Sequence, residues 1–102
     1  DVLLNTHLHS DHCGGNAALH AAYGCRIAIP AAEDAKVRQW DEDALSYRAT
    51  GQRCPRFVHE QLIRSGDVLS LGDLDWTALA APGHDPHALL LYCAQEGVLI
   101  SA

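Results

Sequence analysis

The chain has 102 residues, 48% of them hydrophobic and 20% charged, with a formal net charge of −6. This composition fits one small packed domain and argues against disorder. Seven scattered Lys and Arg argue against a phosphate-binding surface, and no apolar run reaches the roughly 18 residues needed to cross a bilayer. A small molecule is therefore the expected partner, with no nucleic acid and no membrane, and the oligomeric state is left open. No signal peptide is visible, so the compartment also stays open, with the cytoplasm as the working expectation. The chain lacks Met and begins at Asp1, so its first residue is expected not to be a translational start.

In chain order, Val2-Leu3-Leu4 reads as a buried strand, and Gly14 to Tyr23 as a short Ala-rich helix that Gly24 ends. Arg26 to Ile29 predicts a second strand, halted by Pro30. Ala31 to Trp40 has helical composition, with Glu33 and Asp34 in the first turn, where the helix dipole favours negative charge. Asp41 to Tyr47 is read as a further helix, and Thr50 to Pro55 as loop. Short runs at Val68–Leu71, Asp75–Ala80, His87–Cys93 and Val98–Ser101, punctuated by Gly and Pro, predict a meander of strands. Strand and helix come first and antiparallel strands afterwards, which suits part of a layered α/β sandwich.

The segment Thr6-His7-Leu8-His9-Ser10-Asp11-His12 directly follows the first strand and carries three imidazoles and a carboxylate. These are ligands that zinc, iron and manganese accept. In an extended segment residues two apart share a face, so His7, His9 and Asp11 are expected to converge, with a turn swinging His12 beside them. At this chain's own His and Asp frequencies, a random H-x-H-x-D-H has odds of roughly three in a thousand. The four cysteines, Cys13, Cys25, Cys54 and Cys93, show no C-x-x-C pair and are read as buried free thiols, with Cys13 filling a small packing position. His20 and His59 are expected at the surface. Gly14 and Gly15 suggest close backbone approach, by an anionic group on a substrate, at a helix start.

The run from Thr6 to Gly15 matches T-H-x-H-x-D-H-x-G-G at every fixed position and resembles the first signature of the metallo-β-lactamase-fold hydrolases. Ala81-Pro82-Gly83-His84-Asp85-Pro86-His87 resembles their Pro-Gly-His turn, and Val98-Leu99-Ile100-Ser101-Ala102 the start of a third signature strand. The resemblance implies an α/β fold, a partial αββα sandwich covering about half of a domain of about two hundred residues or more, cut at both ends. It implies two divalent ions, zinc first, with iron or manganese as alternatives. His7, His9 and His84 would bind the first ion, and Asp11 and His12 the second. A bridging Asp just after Ala102 and a later His would complete the set.

Asp11 would also orient the nucleophile and accept its proton. A metal-bound hydroxide would attack a small ester, thioester, lactone or β-lactam. His87 is placed as a residue orienting a ligand or loop, and Asp85 stands where the family commonly has Thr or Ser. The segment from Ala31 to Arg56 carries Trp40 and Tyr47. It is expected either to lie over the site's mouth or to pack its aromatics onto the sheet. The alternatives are a mononuclear iron persulfide dioxygenase, which shares the first motif, and a non-catalytic metal-binding module. The His-rich set, with a coordination position open, speaks for catalysis over a closed structural site.

Overall fold

The computed structural model describes residues 1–102. Seven strands form two sheets. β1 (Val2–Leu4), β2 (Arg26–Pro30) and β3 (Gln61–Ile63) make a parallel sheet in that order; β4 (Val68–Leu71), β5 (Leu74–Ala80), β6 (Leu89–Cys93) and β7 (Val98–Ile100) make an antiparallel one. Between β1 and β2 lie α1 (Ser10–Cys13) and α2 (Asn16–Tyr23); between β2 and β3 lie a 3-10 turn (Ala31–Glu33), α3 (Asp34–Gln39) and α4 (Tyr47–Thr50). No helix is long and apolar enough to cross a membrane.

Strand β2 shows why the layers stack as they do. Successive side chains on a strand point to opposite faces. Ile27 and Ile29 pack with Leu8, Cys13, Val37, Leu45, Tyr47 and Phe57, so one face of the parallel sheet meets the helices. Ala28 packs on the other face with Ile63, Ala78, Leu89 and Leu91, where the two sheets meet. Burial on both faces explains why β2 reads as an unbroken apolar run, as parallel strands do. The small Ala28 side chain sits fully buried between the sheets.

Four sequence expectations change. The stretch from Asp41 to Ser46 forms turns rather than a helix, and the helix is Tyr47–Thr50. Asp41 Oδ1 caps a single turn by accepting the N–H groups of Asp43 and Ala44 at 3.2 and 3.1 Å, and Ser46, left-handed at φ 66°, keeps that turn from running on into Tyr47. Ala31 to Trp40 splits into a 3-10 turn and α3, and Trp40 ends α3 in the left-handed conformation at φ 49°. Gln61–Ile63 is an additional strand, aligned with Ala28, Ile29 and Pro30 of β2. Pro30 itself completes β2 instead of halting it.

Candidate metal centre

The centre begins where β1 ends. Asn5 Nδ2 donates to the His12 carbonyl at 3.0 Å, and Asn16 Nδ2 donates to Asn5 Oδ1 at 2.6 Å. This buried amide pair ties the end of β1 to α1 and to the start of α2. The intervening residues 6–9 are thereby held as a short bend. On the other sheet, the turn between β5 and β6 brings His84 alongside, and the Leu89 N–H donates to the Thr6 carbonyl at 2.9 Å. One backbone hydrogen bond thus ties the two sheets together beside the centre.

His7, His9 and His84 converge, with one ligand nitrogen from each within 4.8 Å of the others. The ring centroids of His7 and His9 are 4.7 Å apart, those of His7 and His84 5.5 Å, and those of His9 and His84 4.5 Å. His9 Nδ1 and His84 Nε2 are 2.9 Å apart. Two nitrogens held tetrahedrally by one zinc at the usual bond length stand about 3.3 Å apart, so these spacings suit a shared ion after small ring movements. His7 gives the sharpest indication. It is fully buried, its Nδ1 lies 3.1 Å from Thr6 Oγ1, and its Nε2 has no hydrogen-bond partner. A buried polar atom left unpaired costs stability, and a metal ion would pair it. The residues present therefore fit such an ion.

Burial pushes the His7 pKa below the usual 6.5, and the nearby rings of His12 and His9 push it the same way. A neutral imidazole keeps the lone pair that a metal needs. Asp11 and His12 lie in α1, not in an extended segment, so Asp11 does not share a face with His7 and His9 by strand alternation. Asp11 and His12 stand outside the group of three whose nitrogens converge. His12 Nε2 is 3.6 Å from Asp11 Oδ2, and the His12 ring centroid is 4.1 Å from that of His7. The Asp11 carboxylate is exposed and lines a cleft.

That cleft, about 460 Å³, is lined by His9, Asp11, Leu45, Tyr47, Gln52 and His84, together with Ser46 and Thr50. The Ser10 hydroxyl donates to Gln52 Oε1, joining α1 to the far wall. The segment after α3 therefore does both things expected of it. Residues 45–52 wall the cleft, while Tyr47 is buried and Trp40 packs near it, with ring centroids 6.0 Å apart.

Asp85 gains a role that sequence reasoning did not give it. Its Oδ2 is 3.6 Å from His9 Nε2, and its Oδ1 accepts the His87 N–H at 2.8 Å. Asp85 thus stands within ion-pair reach of one imidazole of the cluster. The His87 side chain instead lines a separate cavity with Pro30, Ile63 and Leu89. The clue was present in the turn: an Asp next to the ligand His, two residues before a backbone N–H that it can cap. His59 is also not a surface residue. Its side chain is 4% exposed and its Nε2 lies 2.6 Å from Asp34 Oδ1.

Gly14 differs from expectation as well. A Cβ there would stand 2.6 Å from the Ser10 carbonyl oxygen, so the close approach is to the chain's own backbone. Cys13 is fully buried beneath the centre, 3.0 Å from the Tyr47 hydroxyl, and burial pushes its thiol pKa up to about 12.

A family model for the metallo-beta-lactamase superfamily matches residues 1–102. A hydroxyacylglutathione hydrolase of Rhodopseudomonas palustris (strain HaA2) is 30% identical over 102 residues, which is 100% of this chain and 32% of that protein. The acyl-coenzyme A thioesterase MBLAC2 of Gallus gallus is 29% identical over 110 residues, covering 98% of this chain and 40% of that protein. BJP-1, a subclass B3 metallo-beta-lactamase of Bradyrhizobium japonicum, superposes with a TM-score of 0.71 at 26% identity, over 91% of this chain and 35% of its own. The BLEG-1 B3 metallo-beta-lactamase gives a TM-score of 0.75 at 26% identity, over 96% and 47%. The chain spans about a third of the length of the hydrolase from Rhodopseudomonas, and its two sheets correspond to part of the fold of these structures. A family match over every residue, together with a His cluster built from both sheets, places the chain in the metallo-beta-lactamase superfamily.

Proposed function

We propose that the protein carrying this chain is a metal-dependent hydrolase of small thioesters or related esters. The observation that carries this reading is the convergence of His7, His9 and His84, with His9 and His84 lining the cleft and the buried His7 Nε2 unpaired. The choice of thioesters is supported by two relatives, one a hydroxyacylglutathione hydrolase and the other an acyl-coenzyme A thioesterase.

His7, His9 and His84 would hold one divalent ion, zinc first, and Asp11 and His12 would contribute to a second. Such ions supply a Lewis acid and bring the pKa of a bound water to about 7. The chain's own residues do the rest. His7 stays neutral because it is buried, Asp85 fixes the orientation of His9, and the exposed Asp11 carboxylate accepts a proton at the cleft surface. Ser46, Thr50 and Gln52 offer hydroxyl and amide groups along the wall, suited to the polar flank of an acyl substrate.

The test uses the full-length protein, with metal content measured alongside hydrolysis of a glutathione thioester, an acyl-coenzyme A thioester and a β-lactam. Thioester hydrolysis is expected. His84→Ala should lose bound metal and activity together, and Asp11→Asn should lower kcat about 10²–10⁴-fold. Full metal occupancy in His84→Ala would overturn the ligand assignment. Bound iron with oxygen consumption on a persulfide, and no hydrolysis, would transfer the reading to the dioxygenase class.

A further inference from the structure

The sequence separates its cysteines, but the fold brings two of them together. Cys13 Sγ lies 3.7 Å from Cys54 Sγ across 41 residues of chain. Both thiols are free, Cys13 fully buried and Cys54 half-buried. Cys25, by contrast, sits at the head of β2, and Cys93 ends β6. The two sulfurs also share their surroundings. Cys13 Sγ contacts the Leu8 carbonyl at 3.6 Å, and Cys54 Sγ contacts the Cys13 carbonyl at 3.7 Å.

We propose that Cys13 and Cys54 are a modification site, a dithiol that closes to an intramolecular disulfide when the protein meets a small disulfide oxidant such as oxidised glutathione. A disulfide needs its sulfurs about 2.05 Å apart, so the pair must close by about 1.7 Å. Cys13 is held in α1, which leaves the movement to Cys54. Cys54 lies in the irregular segment 52–60, between α4 and β3, with no strand pairing to break. Its partial exposure also makes it the thiol that the oxidant meets first.

The chemistry balances in two exchanges. The Cys54 thiolate attacks one sulfur of the oxidant, forming a mixed disulfide and releasing one thiolate. Cys13 then attacks Cys54 Sγ, its proton passing to the second departing thiolate. Two electrons move from the cysteine pair to the oxidant, which leaves as two thiols. The new bond ties the segment after the cleft wall to the residue that follows His12. This reading stands on the Cys13–Cys54 geometry and is independent of what the cleft hydrolyses.

The experiment incubates the native full-length protein with oxidised glutathione, blocks remaining thiols, and maps the linked peptides by mass spectrometry. The expected result is a peptide pair joined through Cys13 and Cys54, with the loss of two hydrogens, reversed by a reducing agent. Cys54→Ser should abolish that link, and Cys54 is the less buried position at which to place the substitution. Glutathione retained on Cys54 with Cys13 unlinked would overturn the proposal, as would no oxidation at Cys54. A second peptide pair, Cys13 joined to Cys25 or Cys93, would also overturn it.

Discussion

His7 and Asp34 show how differently two ionisable side chains are held. His7 stands buried with an unpaired nitrogen, while Asp34 Oδ1 has two partners, His59 Nε2 at 2.6 Å and Arg38 Nε at 2.8 Å. The hydrogen bond from His59 is the main reason that the Asp34 carboxyl titrates below its usual 3.8, and the hydrogen bond from Arg38 adds to it. A folded-state pKa below the unfolded one means that the unfolded chain takes up the proton first as pH falls. The Asp34 contribution is therefore fully present above the unfolded value of 3.8 and disappears as pH drops through the folded one. Asp34→Asn should lower stability by a constant amount at neutral pH, and the gap should shrink below 3.8. Denaturant titrations of both proteins from neutral to acid pH would show it; a gap that widens in acid would contradict it. His7, His9 and His12 stood out as candidate ligands from spacing because the motif is dense, whereas His84 entered only through the resemblance of its Pro-Gly-His turn. Asp85 and the His59–Asp34 pair could not be read in either way, since each depends on a turn or helix bringing residues together across the chain.

At the scale of elements, strands were legible where apolar residues cluster between Gly and Pro, as in the run His87–Cys93, of which the structure keeps Leu89–Cys93 as β6. β3 escaped because three residues, Gln61 to Ile63, are too few to show a period. α4 escaped because tertiary contacts rather than propensity place it. Tyr47, its first residue, donates its hydroxyl proton to the Leu8 carbonyl at 2.8 Å, joining the cleft wall to the segment that carries His7 and His9. Burial pushes the Tyr47 pKa upward, so the hydroxyl stays protonated and remains a donor. Tyr47→Phe leaves the Leu8 carbonyl without this donor, and should cost about 1–3 kcal/mol in chemical denaturation. Circular dichroism should show the secondary structure intact. An unchanged midpoint would mean that the hydroxyl contributes nothing to the position of α4.

At the scale of the molecule, the layered arrangement was readable from the order of elements, strand and helix first and a meander of strands afterwards. The sheet-to-sheet alignment was not, since it rests on Ala28, Ala78 and Leu89 meeting between the layers. A metal ion held by His7, His9 and His84 should stabilise the folded full-length protein by about 2.7 kcal/mol at one hundred times its Kd. Thermal melts with and without a chelator would measure this, and His84→Ala should lose the difference. A melting temperature in the wild type indifferent to chelation would contradict it. The single hydrogen bond from Leu89 to Thr6 gives this prediction a wider meaning. His7 and His9 follow a strand of one sheet and His84 lies between strands of the other, so all three nitrogens meet only when the sheets lie in one particular alignment. Metal affinity is then a ruler laid across the sandwich: a slip between the sheets too small to change the secondary structure would register as a weaker grip on the ion.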